Sequence, residues 1–213
     1  MVANPIPATL VSPELLDHAF GEVNSHLFGQ LAWLNTAYGK AERLAKQEER
    51  RAISYPAVYA ENESGEEYIN LFPDSHLGNF SFWFVDDGWQ VSKYDPYREH
   101  EFDITASVIF WYDLRQVFPA DWEKRTGQNV LKAVFRAFRT LSTPSLSLEI
   151  TRVWERTGNV YSGFSANEIP NQFRMRPYGC FRFECRIKYT ELCDPDRMEG
   201  VNYWGIEYTN IVQ

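Results

Sequence analysis

Apolar residues recur at three- and four-residue steps from Leu16 through Phe20, Val23, Leu27, Leu31 and Leu34. That is the spacing of one helix face. Ser12 is suited to cap such a helix, Pro13 to its first position and Glu14 to its positive end. The spacing runs on through Tyr38 and Leu44 into the polar run KQEERR, with Gly39 as a point of kinking or splitting. One long amphipathic N-terminal segment is therefore expected, packed along a sheet face or a neighbouring subunit. A second helix is expected over NVLKAVFRAFRTL. Leu131, Val134, Phe135, Phe138 and Leu141 form its inner stripe, and Lys132, Arg136 and Arg139 its outer face.

Elsewhere the period changes to two. In EFDITASVIFWYDL, Phe102, Ile104, Ala106, Val108, Phe110 and Tyr112 alternate with Glu101, Asp103, Thr105 and Ser107. This is a half-buried strand, and Ile109 and Trp111 predict that its second face is covered near the end. YPAVYAENESGEEYINLF reads as a hairpin turning at ENESGEE. FSFWFVDDGWQV reads as an aromatic strand with a turn at Asp86–Gly88, SKYDPYRE as a loop, and SLSLEITRVWE as a strand. RTGNVYSGFSANEIPNQFRMRPYG is a long connection, a kind of segment that is rarely idle. YGCFRFECRIKYTELCD closes the pattern: Phe181, Phe183, Cys185, Ile187 and Tyr189 on one face, Arg182, Glu184, Arg186 and Lys188 on the other. The class is α+β, a mostly antiparallel sheet with the long N-terminal helix and the second helix packed on one face. Residues 1–193 form one domain, and 194–213 an arm or edge strand.

Composition narrows the function. The 213 residues carry 44% hydrophobic side chains and 16% aromatics, enough for a sizeable core with rings left over for a surface contact. A net charge of −8 argues against general affinity for phosphate backbones and leaves room for a local basic patch. No apolar stretch is long enough to span a membrane, and MVANPIPATLV lacks the charged start and apolar run of an export signal. With three cysteines and no export signal, a reducing cytoplasm is the expected compartment.

Candidate chemistry is sparse. Cys180 and Cys185 have opposite parity on one strand, and no Cys-x-x-Cys pair exists. His18, Glu22 and His26 share a helix stripe, but its two ends are about 12 Å apart, so a solvated face is the simpler reading. Asp74, His76, Asp95, Glu99, His100, Glu101 and Asp103 could hold a divalent cation or an acid–base pair only if two loops converge. Glu101 and Asp103 also have cross-strand partners available in Arg182, Arg186 or Lys188. Glycine-rich phosphate loops and a nucleophile elbow are absent from the sequence. No cofactor is called for.

The order of elements, with the short YPAV strand at Tyr55–Val58 and the final FRFECRIKY cadence, resembles tail-terminator (tail-completion) proteins of long-tailed bacteriophages and prophages. The resemblance spans residues 13–192. It implies a non-enzymatic α+β virion protein that forms a ring, typically hexameric, contacts other tail or neck proteins and ends in the assembled tail. It brings no catalytic residues. This chain differs in a long loop at Ser75–Glu101 and a tail after Cys193.

A ring subunit needs aromatic surface on loops that reach its neighbours. Trp89, Tyr94, Tyr97, Tyr161, Phe164, Tyr203, Trp204 and Tyr208 are the candidates, with local mini-cores beneath their own loops as the alternative. Lys132, Arg136 and Arg139 form a candidate basic patch for an acidic partner or passing DNA, or a plain solvated helix face. Two other classes remain open: a metal-dependent hydrolase built on Asp74, His76 and His100, and a small-molecule binding module with an aromatic pocket between the sheet and the first helix.

Overall fold

A computed structural model describes residues 15–48, 51–62, 65–85, 88–94 and 99–192. Helix α1 (Leu15–Gln30) leads into β1 (Thr36–Lys40), β2 (Glu42–Glu48) and the hairpin β3 (Arg51–Asn62) and β4 (Gly65–Asn70). Next come β5 (Phe80–Phe84), β6 (Gln90–Tyr94) and β7 (Glu99–Asp113). A one-turn helix α2 (Leu114–Val117), the helix α3 (Gly127–Arg139), β8 (Leu146–Trp154), the short α4 (Thr157–Val160) and β9 (Tyr178–Leu192) complete the order. The main sheet runs β1-β5-β7-β9-β8, with β6 alongside β7, and β2-β3-β4 make a smaller sheet. Every pairing is antiparallel except that of β1 with β5. The α+β class follows.

The central pair is β7 with β9, in unbroken register from Glu99 opposite Leu192 to Asp113 opposite Tyr178. Their alternation places Phe102, Ile104, Ala106, Val108, Phe110 and Tyr112 beside Phe181, Phe183, Cys185, Ile187 and Tyr189 in one core. Helix α1 closes this core with Leu16, Phe20, Val23 and Leu27, and α3 with Val130, Leu131, Val134 and Phe138. His26 ties the two helices, its Nε2 lying 2.8 Å from the Ala137 carbonyl oxygen. Tyr112 reaches so close beneath the start of α3 that a Cβ at Gly127 would lie 2.5 Å from its hydroxyl, which accounts for glycine there.

The expected extension of the first helix toward residue 51 is overturned. It ends at Gln30, and the stretch that continued its spacing forms a turn, then β1 and β2. Leu31, Leu34 and Tyr38 are buried as expected, but Leu34 lies on the turn and Tyr38 on a strand. Asn35 donates its N–H to the Asn79 carbonyl at 2.8 Å and accepts the Asn79 N–H on its Oδ1 at 2.8 Å. Pairing with β5 thus outcompetes local helical spacing. The proposed capping residues Ser12, Pro13 and Glu14 lie outside the described residues.

The second face of the main sheet is covered, as Ile109 and Trp111 foretold, but the cover is irregular chain. Val160, Tyr161, Phe164, Ile169 and Phe173 of the connection between β8 and β9 pack onto Phe80, Phe82, Phe84, Ile109 and Trp111. Val58 and Leu71 of the small sheet join them. Each such large side chain taken from water contributes roughly 1.5–3 kcal/mol, so this connection is a structural layer. It also buries Arg182, expected on the outer polar face, which donates its Nε–H to Ser107 Oγ at 2.8 Å and Nη1–H to the Ser162 carbonyl at 3.3 Å.

The exposed half of that face carries the anticipated cross-strand ion pair. Arg186 donates its Nε–H to Asp103 Oδ1 at 2.9 Å. The hydrogen bond from Arg186 and its charge hold the Asp103 carboxyl below the usual aspartate range. A carboxylate lowered in the native state stabilises it above the unfolded pKa of about 3.9, and that gain is lost as pH falls through the native value. The stability gap between the parent chain and Asp103→Asn should therefore be present at pH 7 and shrink as pH falls below the unfolded value, read in urea titrations. A gap that is constant with pH would show that the pair contributes nothing through charge.

Candidate interaction surfaces

The carboxylates proposed for chemistry each have a separate local partner. Asp74 Oδ1 accepts from the backbone N–H groups of His76 at 2.6 Å and Leu77 at 2.9 Å, closing a turn. Glu101 accepts from Ser92 Oγ at 2.6 Å, Glu99 pairs with Lys93, and Asp103 with Arg186. Phe80 stands opposite Trp111, so His76 and His100 lie toward opposite ends of β7. The eleven residue steps of strand from His100 to Trp111 span about 36 Å. The two loops do not meet, and among the described residues no three His, Cys, Asp or Glu side chains are grouped to hold a metal ion. Asp95 lies outside the described residues.

The His18, Glu22, His26 stripe divides in the same way. His18 is exposed, Glu22 accepts from Ser145 Oγ at 2.6 Å, and His26 joins α1 to α3. The space between α1 and the sheet is filled, with Phe20 stacked on Trp83 at 4.6 Å between ring centroids. Trp83 donates its Nε1–H to Asn24 Oδ1 at 2.9 Å, and Asn24 donates on to the Tyr38 carbonyl at 3.1 Å. Among the described residues, these rings are packed on each other at that place. A cavity of about 160 Å³ lies instead among Tyr112, Glu155, Thr157, Arg174 and Cys180, below the ~300 Å³ at which small-molecule sites begin. Its polar groups serve the fold: Glu155 accepts from Gln128 at 2.6 Å, and the Cys180 thiol faces Thr157 Oγ1 at 3.8 Å.

Burial pushes the Cys180 thiol up to about 11 and the Cys185 thiol up to about 12. The nucleophile is the thiolate, so Cys185 should resist iodoacetamide at pH 8 in the native chain and react only on unfolding, as read by mass spectrometry. Rapid native-state alkylation of Cys185 would contradict its place in the core. Cys193 lies outside the described residues.

The aromatic candidates separate into three groups. Trp89 and Tyr94 are at the surface, 40% and 71% exposed, and Val91 between them is 51% exposed. They flank or lie on β6, whose five residues are all exposed. Ser92–Tyr94, expected in a loop, belong to this strand. Trp89 rests edge-on against Phe102 at 5.2 Å, and Tyr94 stacks on His100 at 4.8 Å. By contrast, Tyr161 and Phe164 are buried in the second core, which corrects their assignment to an interface. Tyr97, Tyr203, Trp204 and Tyr208 lie outside the described residues.

Lys132, Arg136 and Arg139 are exposed on α3. Phe135 stands among them, 39% exposed, its inner edge on Phe183 at 5.0 Å. Its expected burial is thus only half realised. Sequence reasoning also passed over Tyr59 and Tyr68, which face each other across the β3–β4 hairpin with ring centroids 5.0 Å apart. They are 39% and 46% exposed. Their equal distance from the turn centre was the available signal. No known family model matches this chain, and no curated protein matches its sequence.

Proposed function

We propose that this protein is a structural subunit of a phage or prophage tail, of the tail-completion kind, that works by assembling with copies of itself. The observation that carries the reading is the aromatic edge at β6. Trp89, Val91 and Tyr94 present apolar surface on a strand that, among the described residues, hydrogen-bonds to β7 on one side alone. An open strand edge with exposed rings is suited to a partner and costly to leave in water. The order of elements adds support, with a helix, the YPAV hairpin, a long alternating strand, a helix and two closing strands. So does the distance between Asp74 and His76 on one side and His100 on the other, with Asp74 closing a local turn.

In this role the subunit does no chemistry. Burying the edge rings between copies supplies the association energy, concentrated in a few aromatic positions. Neighbouring tail or neck proteins would take the remaining faces, in a virion tail assembled from the cytoplasm. Light scattering over a range of concentrations tests the reading. A mass that is a multiple of 24.9 kDa is expected. Trp89→Ser with Tyr94→Ser should weaken association by about tenfold or more without unfolding the chain. A monomer at every concentration contradicts the proposal.

A further inference from the structure

Charge is distributed unevenly along this chain. No Lys or Arg occurs from Ala52 to Ser92, and Glu61, Glu66 and Glu67 fall on the facing ends of β3 and β4. Register puts Glu61 opposite Glu66 and Ala60 opposite Glu67. Directly behind them sits the exposed Tyr59–Tyr68 pair. The hairpin is thus an aromatic pair followed by an acidic tip.

Helix α3 is its complement. Lys132, Arg136 and Arg139 are exposed and, among the described residues, make no ion pair, and Phe135 lies half-exposed between them. The two surfaces cannot meet within one molecule. The hairpin anchors in the second core through Val58, Ile69 and Leu71, whereas α3 closes the first core on the opposite face of the main sheet.

We infer that the acidic hairpin of one copy docks on the basic face of α3 in the next, Tyr59 and Tyr68 covering Phe135 while the glutamates meet Lys132, Arg136 and Arg139. Resting on the self-assembly reading above, this gives that assembly its direction. Two different patches on opposite faces favour a head-to-tail contact, which closes into a ring or runs on as a filament. A second copy suits the α3 face better than nucleic acid does. A half-exposed phenylalanine sits among its cations, and the chain as a whole carries −8.

The test uses the whole chain and reverses charge on the two surfaces. Lys132→Glu with Arg136→Glu, or Glu66→Lys with Glu67→Lys, should each weaken association at least about tenfold in light scattering. A single chain carrying all four reversals should regain most of it, since the signs again match. Raising salt from 0.05 to 0.5 M should weaken the parent assembly and the swapped chain alike. An assembled parent chain unaffected by either pair, or a swapped chain that fails to recover while keeping its circular dichroism, overturns this contact and leaves self-assembly standing. A monomeric parent chain overturns both. Loss of binding to a labelled DNA duplex on Lys132→Glu with Arg136→Glu, with assembly unchanged, assigns the face to nucleic acid instead.

Discussion

Trp83→Ala is expected to be the most damaging single substitution in the described part of the chain, lowering stability by about 3–5 kcal/mol. Trp83 is fully buried, stacks on Phe20 of α1 and donates to Asn24 Oδ1. Removing it opens a cavity under the helix and leaves the Asn24 oxygen without its donor. Asn24 also reaches the Tyr38 carbonyl, so the damage extends to the β1 edge. Trp83→Phe separates the two effects. It retains ring packing and loses the hydrogen bond, for an expected cost of about 1–3 kcal/mol. Urea denaturation monitored by circular dichroism would measure both. An alanine variant within about 1 kcal/mol of the parent would mean that α1 is not held as described.

Asn79→Leu is expected to be next, at about 2–4 kcal/mol. Asn79 is fully buried where the turn after α1, the start of β5 and the end of β7 converge. Its Oδ1 accepts the Asp113 N–H at 2.7 Å and its Nδ2–H donates to the Trp33 carbonyl at 2.9 Å. Leucine matches the volume and strands both backbone groups away from water, and the penalty arises from those orphaned partners. Asn79→Asp retains the acceptor and loses the donor, while burying a charge, so it should be no milder than leucine. If both variants melt with the parent in a thermal scan, water or a rearranged turn has taken over these bonds.

These two residues also mark what the sequence made visible and what it hid. The alternation on β7 and β9 was legible because each strand is apolar on one side over its length, and period two has no helical competitor there. The Asp103–Arg186 pairing followed from the same parity. The end of α1 was not legible. Leu31, Leu34 and Tyr38 keep a helical step while the backbone turns into a strand, and the signal that stops the helix is the Asn35–Asn79 pairing 44 residues away. The second core was hidden for another reason. Tyr161, Phe164 and Phe173 come from irregular chain with no period to detect, so buried rings resembled loop rings awaiting a partner.

The interaction surface was half legible. Trp89 and Tyr94 stand out as aromatics in a polar stretch, and α3 displays its cations at helical spacing. Which aromatics stay outside depends on tertiary packing. Phe135 fits the inner stripe by spacing, yet Phe183 covers only its edge. Tyr59 and Tyr68 lie on strands whose core contacts end at Val58 and Ile69. The burial of a ring on a regular element is periodic and readable, but its last exposed third is decided by neighbours distant in sequence.

Imaging the purified chain by negative-stain electron microscopy tests the central claim most directly. Closed rings of identical subunits joined head to tail are expected, and they should open or dissociate when Lys132 and Arg136 are reversed to glutamate. Isolated monomers, or compact particles with a single two-fold contact, would contradict it.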